Sequence, residues 1–165
     1  MSHAYLVALP IDDLPLGATY PKGESLPLHC TVMSWFHPGQ QLRRQHLEGE
    51  LALLAFSAVG GITLVAECFE RFGPEREVSA YVLRADEGLQ VLHTRLLVFL
   101  AIMGSVPTEL RWVGAGFRPH VSDYAGKSFG MGSRHRAMNI VLVERHEDTR
   151  IKKVIKVFPF NNVTA

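Results

Sequence analysis

The sequence has almost no net charge: 17 basic against 16 acidic side chains leave it at +1. Such a balance gives no global field for coating a nucleic acid or adhering to an anionic membrane, so an anionic ligand must be met locally. Cysteine is scarce, with two residues in 165. Cys30 and Cys68 cannot form a disulfide framework, which points to reduced thiols in a cytoplasmic protein. Long apolar runs are missing as well. The stretch 89–103 is interrupted by His93 and Arg95 and falls short of the roughly 20 apolar residues a membrane span needs. Residues 1–10 lack the basic flank of a signal peptide, and Asn162-Val163-Thr164 is a glycosylation sequon only in form. No dense group of Asp, Glu, His or Cys shows metal-ligand spacing, so neither a metal nor another cofactor is expected. What is present, 47% hydrophobic and 20% charged residues, is ordinary globular material. It suffices for one domain over 1–165 with room for two lobes.

Hydrophobic periodicity supplies the elements. Residues 4–9 form a short apolar run ended by Pro10, and 11–27 a loop rich in proline and glycine. Tyr20 in that loop is a candidate to reach the mouth of a cleft, against the plainer reading of a solvated loop. A strand is expected over 28–36, then a helix over 40–59 whose Leu47, Leu51, Leu54, Ala55 and Ala58 recur at helical intervals. Gly60-Gly61 ends it, as residues that accept a left-handed cap. Residues 62–72 and 77–84 read as a hairpin around Gly73-Pro74. Asp86 is a suitable N-cap for a second helix running to about Met103, with His93 beside its apolar stripe as a partly buried structural histidine. Residues 106–116 are a connection with a short extended piece at 110–113. The stretch 123–136 is basic and glycine-rich, and reads equally as a loop able to close over a phosphate or as a solvated hairpin connection. Its Gly126-Lys127-Ser128 is not a P-loop, because Val121 stands where the earlier glycine is required. Strands over 137–144 and 151–160 close the chain, and Lys152 and Lys156 fit the guarding of a sheet edge. The order β, β, α, β, β, α, β, β, β predicts an α+β fold of antiparallel sheets with helices on their outer faces.

Two triplets stand out, one in each half of the chain: His29-Cys30-Thr31 and His120-Val121-Ser122. Successive strand side chains alternate faces, so each triplet sets an imidazole beside a hydroxyl on one surface and anchors its middle residue in a core. Imidazole gains and loses a proton near neutral pH. Two of them on opposite sides of a phosphate can divide the work of breaking a P–O bond, one as base and one as acid. The hydroxyls would donate hydrogen bonds to the oxygens where charge develops.

With their flanks, Leu28-His29-Cys30-Thr31-Val32 and Phe117-Arg118-Pro119-His120-Val121-Ser122, these motifs resemble the 2H phosphoesterase superfamily. The second stretch is similar to the 2′-5′ RNA ligase/cyclic phosphodiesterase branch in its aromatic residue and its Pro-His before the hydroxyl. The resemblance implies two lobes related by pseudo-twofold symmetry, with the active-site cleft between them. It implies His29 and His120 as catalytic residues and Thr31 and Ser122 as phosphate-binding ones. The implied reaction is metal-independent hydrolysis of 2′,3′-cyclic or 2′-5′-linked nucleotide or RNA phosphodiesters, with no obligatory protein partner. RNA ligation, hydrolysis of cyclic oligonucleotides, and a non-catalytic nucleotide- or RNA-binding module are the alternatives. Tyr124, Lys127 and Arg134, from the basic stretch, join Tyr20 as candidate substrate contacts. Asp123-Tyr124 departs from the usual apolar continuation, so the choice of substrate is not inherited with the motif.

Overall fold

The computed structural model describes residues 2–162; Val163 and Thr164 of the formal sequon lie outside that range. In chain order its elements are β1 (His3–Pro10), β2 (Thr19–Tyr20), β3 (His29–His37), α1 (Arg44–Ser57), β4 (Ile62–Phe72), β5 (Val78–Leu83), α2 (Glu87–Ile102), β6 (Val106–Pro107), β7 (His120–Ser122), β8 (Arg134–Ala137), β9 (Asn139–His146) and β10 (Lys152–Pro159). The two triplets lie on β3 and β7, which pair antiparallel with Cys30 opposite Val121. Outward from β3 come β1, β9, β10 and β2, and outward from β7 come β5, β4 and β8. The short β6 pairs with the end of β3. The lobes are therefore two halves of one continuous antiparallel sheet, joined where the triplets meet.

Both helices cover one face of this sheet. Leu47, Leu51 and Leu54 of α1 and Leu89, Leu92, Leu96 and Leu100 of α2 pack against Val7, Leu9, Cys30, Leu64, Val121 and Leu142. Full burial of a side chain of this size contributes about 1.5–3 kcal/mol. The second helix is capped as expected: the Leu89 amide donates to Asp86 Oδ1 at 2.8 Å. No helix of the described residues is long and apolar enough to cross a membrane.

The opposite face carries two smaller apolar clusters, one around Leu6, Ala8, Val141, Val143 and Val154, the other around Phe72, Ala80 and Val82. Between them run the polar positions of β3 and β7. The alternation expected of the triplets holds: Cys30 and Val121 are fully buried, while both histidines and both hydroxyl residues are half-buried.

The first helix begins at Arg44, not at residue 40, and ends at Ser57. The preceding turn is held differently. Gly39 donates its amide to Ser105 Oγ at 2.8 Å, and its missing side chain leaves space for the Gly104 carbonyl, which occupies the place a Cβ would take. The expected extended piece at 110–113 is a 3-10 turn over Leu110–Trp112, followed by another at Gly114–Gly116. The expected basic loop is shorter than predicted because Arg134–Ala137 pairs with the start of β4. Its start is a tight turn in which Tyr124 and Lys127 exchange backbone hydrogen bonds.

Strand β3 is irregular. Its register against β1 slips twice, between Thr31 and Met33 and again between Met33 and Phe36. Two carbonyls of the bulged stretch are satisfied by groups outside β1. His93 Nδ1 donates to the Val32 carbonyl at 2.7 Å, and Thr108 donates both its amide and its hydroxyl to the Trp35 carbonyl at 2.8 Å. The slips re-aim the strand so that Ser34 and Trp35, adjacent in sequence, both line the face that carries His29 and Thr31.

Candidate active site

A groove of about 850 Å³ opens on the helix-free face, and His29, Thr31, His120 and Ser122 all line it. Counting outward from the Cys30–Val121 pair in antiparallel register sets His29 across from Ser122 and Thr31 across from His120. Each imidazole thus faces the other triplet's hydroxyl. Directly opposed residues of such a ladder have Cβ atoms roughly 5 Å apart, and diagonal ones roughly 7–8 Å, a spacing that suits a phosphate between two rings.

The two rings are held in the same way. His29 Nδ1 lies 2.7 Å from the Pro27 carbonyl, and His120 Nδ1 lies 2.8 Å from the Arg118 carbonyl. A carbonyl only accepts, so in both rings Nδ1 carries the proton and donates it. Nε2 is then the nitrogen left for a ligand. Phe72 stacks on the His120 ring at 4.4 Å, Trp112 meets Phe72 edge-on at 5.4 Å, and the Arg118 guanidinium lies 5.8 Å from the Phe72 ring. Arg118 is fixed in turn by Glu70 at 2.5 Å, a charge-assisted bond that holds the Glu70 carboxyl below its usual range.

Burial lowers both histidines' affinity for a proton. For His29 the loss of solvent dominates, the Pro27 bond opposes it, and the charge of His120 lowers it further. For His120 burial again leads, opposed by the Arg118 carbonyl and reinforced by the Arg118 charge. The same burial pushes the Cys30 thiol up to about 12, which leaves it an inert packing group.

The four further candidates lie elsewhere. Tyr20 is on β2, opposite Lys152, where burial and then Tyr124 and Asp13 raise its hydroxyl. Tyr124 packs on the main core. Lys127 points to Asp12, 3.5 Å away, and Arg134 sits on β8 opposite Val65. None of them lines the groove. In their place it is lined by Trp35, Phe72, Trp112, Arg111, Arg118 and Lys152. Lys152, read from sequence as an edge guard, is partly buried, and that burial lowers its affinity for a proton. Its place in the alternation Lys152, Val154, Lys156 was the available signal. For Trp35 there was none, because the bulges shift its face.

Together, an antiparallel α+β sheet with a triplet on each of its two inner strands defines the class of fold. No protein-family model and no curated protein matches the chain. Solved structures with the same fold do match it. A crystal structure of a phosphoesterase superposes with a TM-score of 0.60 at 18% identity, over 97% of this chain and 99% of that one. E. coli LigT complexed with 3′-AMP gives 0.59 at 16% identity over 97% and 99%. The Thermus thermophilus protein TT0787 gives 0.53 at 17% identity over 99% and 100%.

Proposed function

We propose that this chain is a 2H phosphoesterase that hydrolyses 2′,3′-cyclic or 2′-5′-linked nucleotide or RNA phosphodiesters without a catalytic metal, using His29 and His120 as acid and base. The observation that carries this reading is the matched tethering of the two rings. Each Nδ1 is given to a carbonyl two residues upstream, so each Nε2 is free for a substrate in one shared groove. In the reaction a neutral Nε2 takes a proton from water as its oxygen bonds to phosphorus. The P–O bond to the departing ribose oxygen breaks, and the protonated Nε2 of the other ring supplies that oxygen with its proton. Thr31 and Ser122 donate to the non-bridging oxygens.

Nucleotide substrates are supported by the neighbours: E. coli LigT was solved complexed with 3′-AMP, with NADP+ and with ATP. Trp35, Phe72 and Trp112 along the groove offer apolar faces suited to a base. Two free thiols, Cys30 and Cys68, suit a reducing, cytoplasmic setting. The test is turnover of purified protein on 2′,3′-cyclic mononucleotides and 2′-5′-linked dinucleotides with EDTA in excess. Hydrolysis that survives the chelator is expected. Activity lost on chelation and restored by a divalent ion would reassign the chemistry to a metal.

A further inference from the structure

On the helix-covered face, opposite the one that carries the groove, His3 pairs across the β1–β9 ladder with His146, and Glu144 lies two residues along. The antiparallel register turns all three side chains to the same side. We propose that His3, Glu144 and His146 bind a zinc-class divalent ion. Their ligand atoms all lie within 4.8 Å of one another. The separations are too long for hydrogen bonds: 3.8 Å from His3 Nδ1 to Glu144 Oε2, and 3.9 Å from His146 Nε2 to Glu144 Oε1. His3 Nδ1 is buried and has no hydrogen-bond partner in the protein. A buried polar atom in that condition calls for an occupant. Of the cations around Glu144, Arg44 of α1 is engaged by Glu48, with its Nε 2.6 Å from the carboxylate, and Lys153 stands opposite Glu144 on β10.

Two imidazoles and one carboxylate form a donor set that suits zinc, nickel or cobalt and disfavours the hard ions magnesium and calcium. Ligand atoms around a tetrahedral zinc, at about 2.0–2.1 Å from the metal, lie roughly 3.3 Å apart. Small side-chain rotations close the present gaps to that value. The partial exposure of all three residues leaves a fourth position to water. Sequence spacing conceals this site, because its ligands come from the first strand and the ninth. The ion would fasten β1 to β9, and β1 runs from there to Pro10, the partner of His29. Its role is therefore structural and independent of the proposed proton transfers.

The test uses the full chain stripped with chelator. Zinc titration calorimetry and the visible spectrum of the cobalt form should report one ion per chain at micromolar metal, and zinc should raise the thermal midpoint. His3→Ala and Glu144→Gln, each checked as folded by circular dichroism, should weaken binding at least tenfold and abolish the thermal shift. His120→Ala should retain both. A folded wild-type chain that binds no zinc overturns the proposal, and so does binding that is lost in His120→Ala but kept in Glu144→Gln. Because turnover is to be measured with EDTA present, failure here leaves the phosphodiesterase reading standing, and failure of that reading leaves this one.

Discussion

A histidine that gives its Nδ1–H to a carbonyl has a single nitrogen left for chemistry, and His29 and His120 are both in that state. If they act as acid and base, His29→Ala and His120→Ala should each lower kcat/KM on a cyclic phosphate by about two to four orders of magnitude. The double variant should be little worse than either, since groups acting as a unit are not additive. Thr31→Ala and Ser122→Ala should cost less, on the order of ten- to a thousand-fold. A fully folded, fully active His120→Ala protein would falsify the mechanism. The pH profile follows from the same residues. Only the singly protonated pair reacts, so kcat/KM should be bell-shaped. Burial lowers both proton affinities, so the maximum should lie on the acid side of the ordinary imidazole value of about 6.5. A bell centred above that value would contradict the environment described for the rings.

At the scale of elements, the groove is braced by one buried histidine that does not line it. His93, 1% exposed on α2, donates from Nδ1 to the Val32 carbonyl, accepts the Gly114 amide on Nε2 at 2.9 Å, and stacks on Phe117 at 3.8 Å. It joins the bulge of β3 to the segment that leads into β7. His93→Ala should leave both backbone groups unpaired and cost about 2–4 kcal/mol, read as a lowered midpoint in denaturant. Gly39→Ala should cost about 1–3 kcal/mol by overpacking against the Gly104 carbonyl. The sequence showed His93 as a structural histidine because it lies beside an apolar helical stripe; it could not show what the ring holds. It showed the long strands and both helices because each has a repeated period. It could not show β2 or β6, two residues each, or the turn before α1, where contacts with distant Gly104 and Ser105 override local preference. The triplets were legible because their alternation survives from Leu28 to Val32. Trp35 was not, because a bulge resets the phase, and Arg134, read by composition as loop, lies on β8, while Lys127 stays in the loop before it.

For the molecule as a whole, three histidines set an acid limit to stability, His93 buried and His29 and His120 half-buried. His29, His93 and His120 all bind protons less readily when folded, with burial the leading cause in each. Between the folded and unfolded values the unfolded chain holds more protons, so stability rises with pH across that window. It should be complete above about 6.5 and decline as pH falls through the lowered folded values. Thermal midpoints measured between neutral and mildly acid pH should fall accordingly, and less steeply in a folded His93→Gln variant.

The position of β1 also has a meaning in time. The first strand is flanked by β3, made soon after it, and by β9, which is followed only by β10 among the described strands. During synthesis one edge of β1 therefore waits, apolar and unpaired, while most of the chain is still to come. The half-sheet that carries His29 gains its outer strands only when the last hairpin arrives, so a ribosome-bound chain stopped before Asn139 should be protease-sensitive and inactive. Contacts spanning so much of the sequence also favour slow folding, in milliseconds to seconds rather than microseconds. The polypeptide acquires the groove lined by His29 and His120 late and all at once.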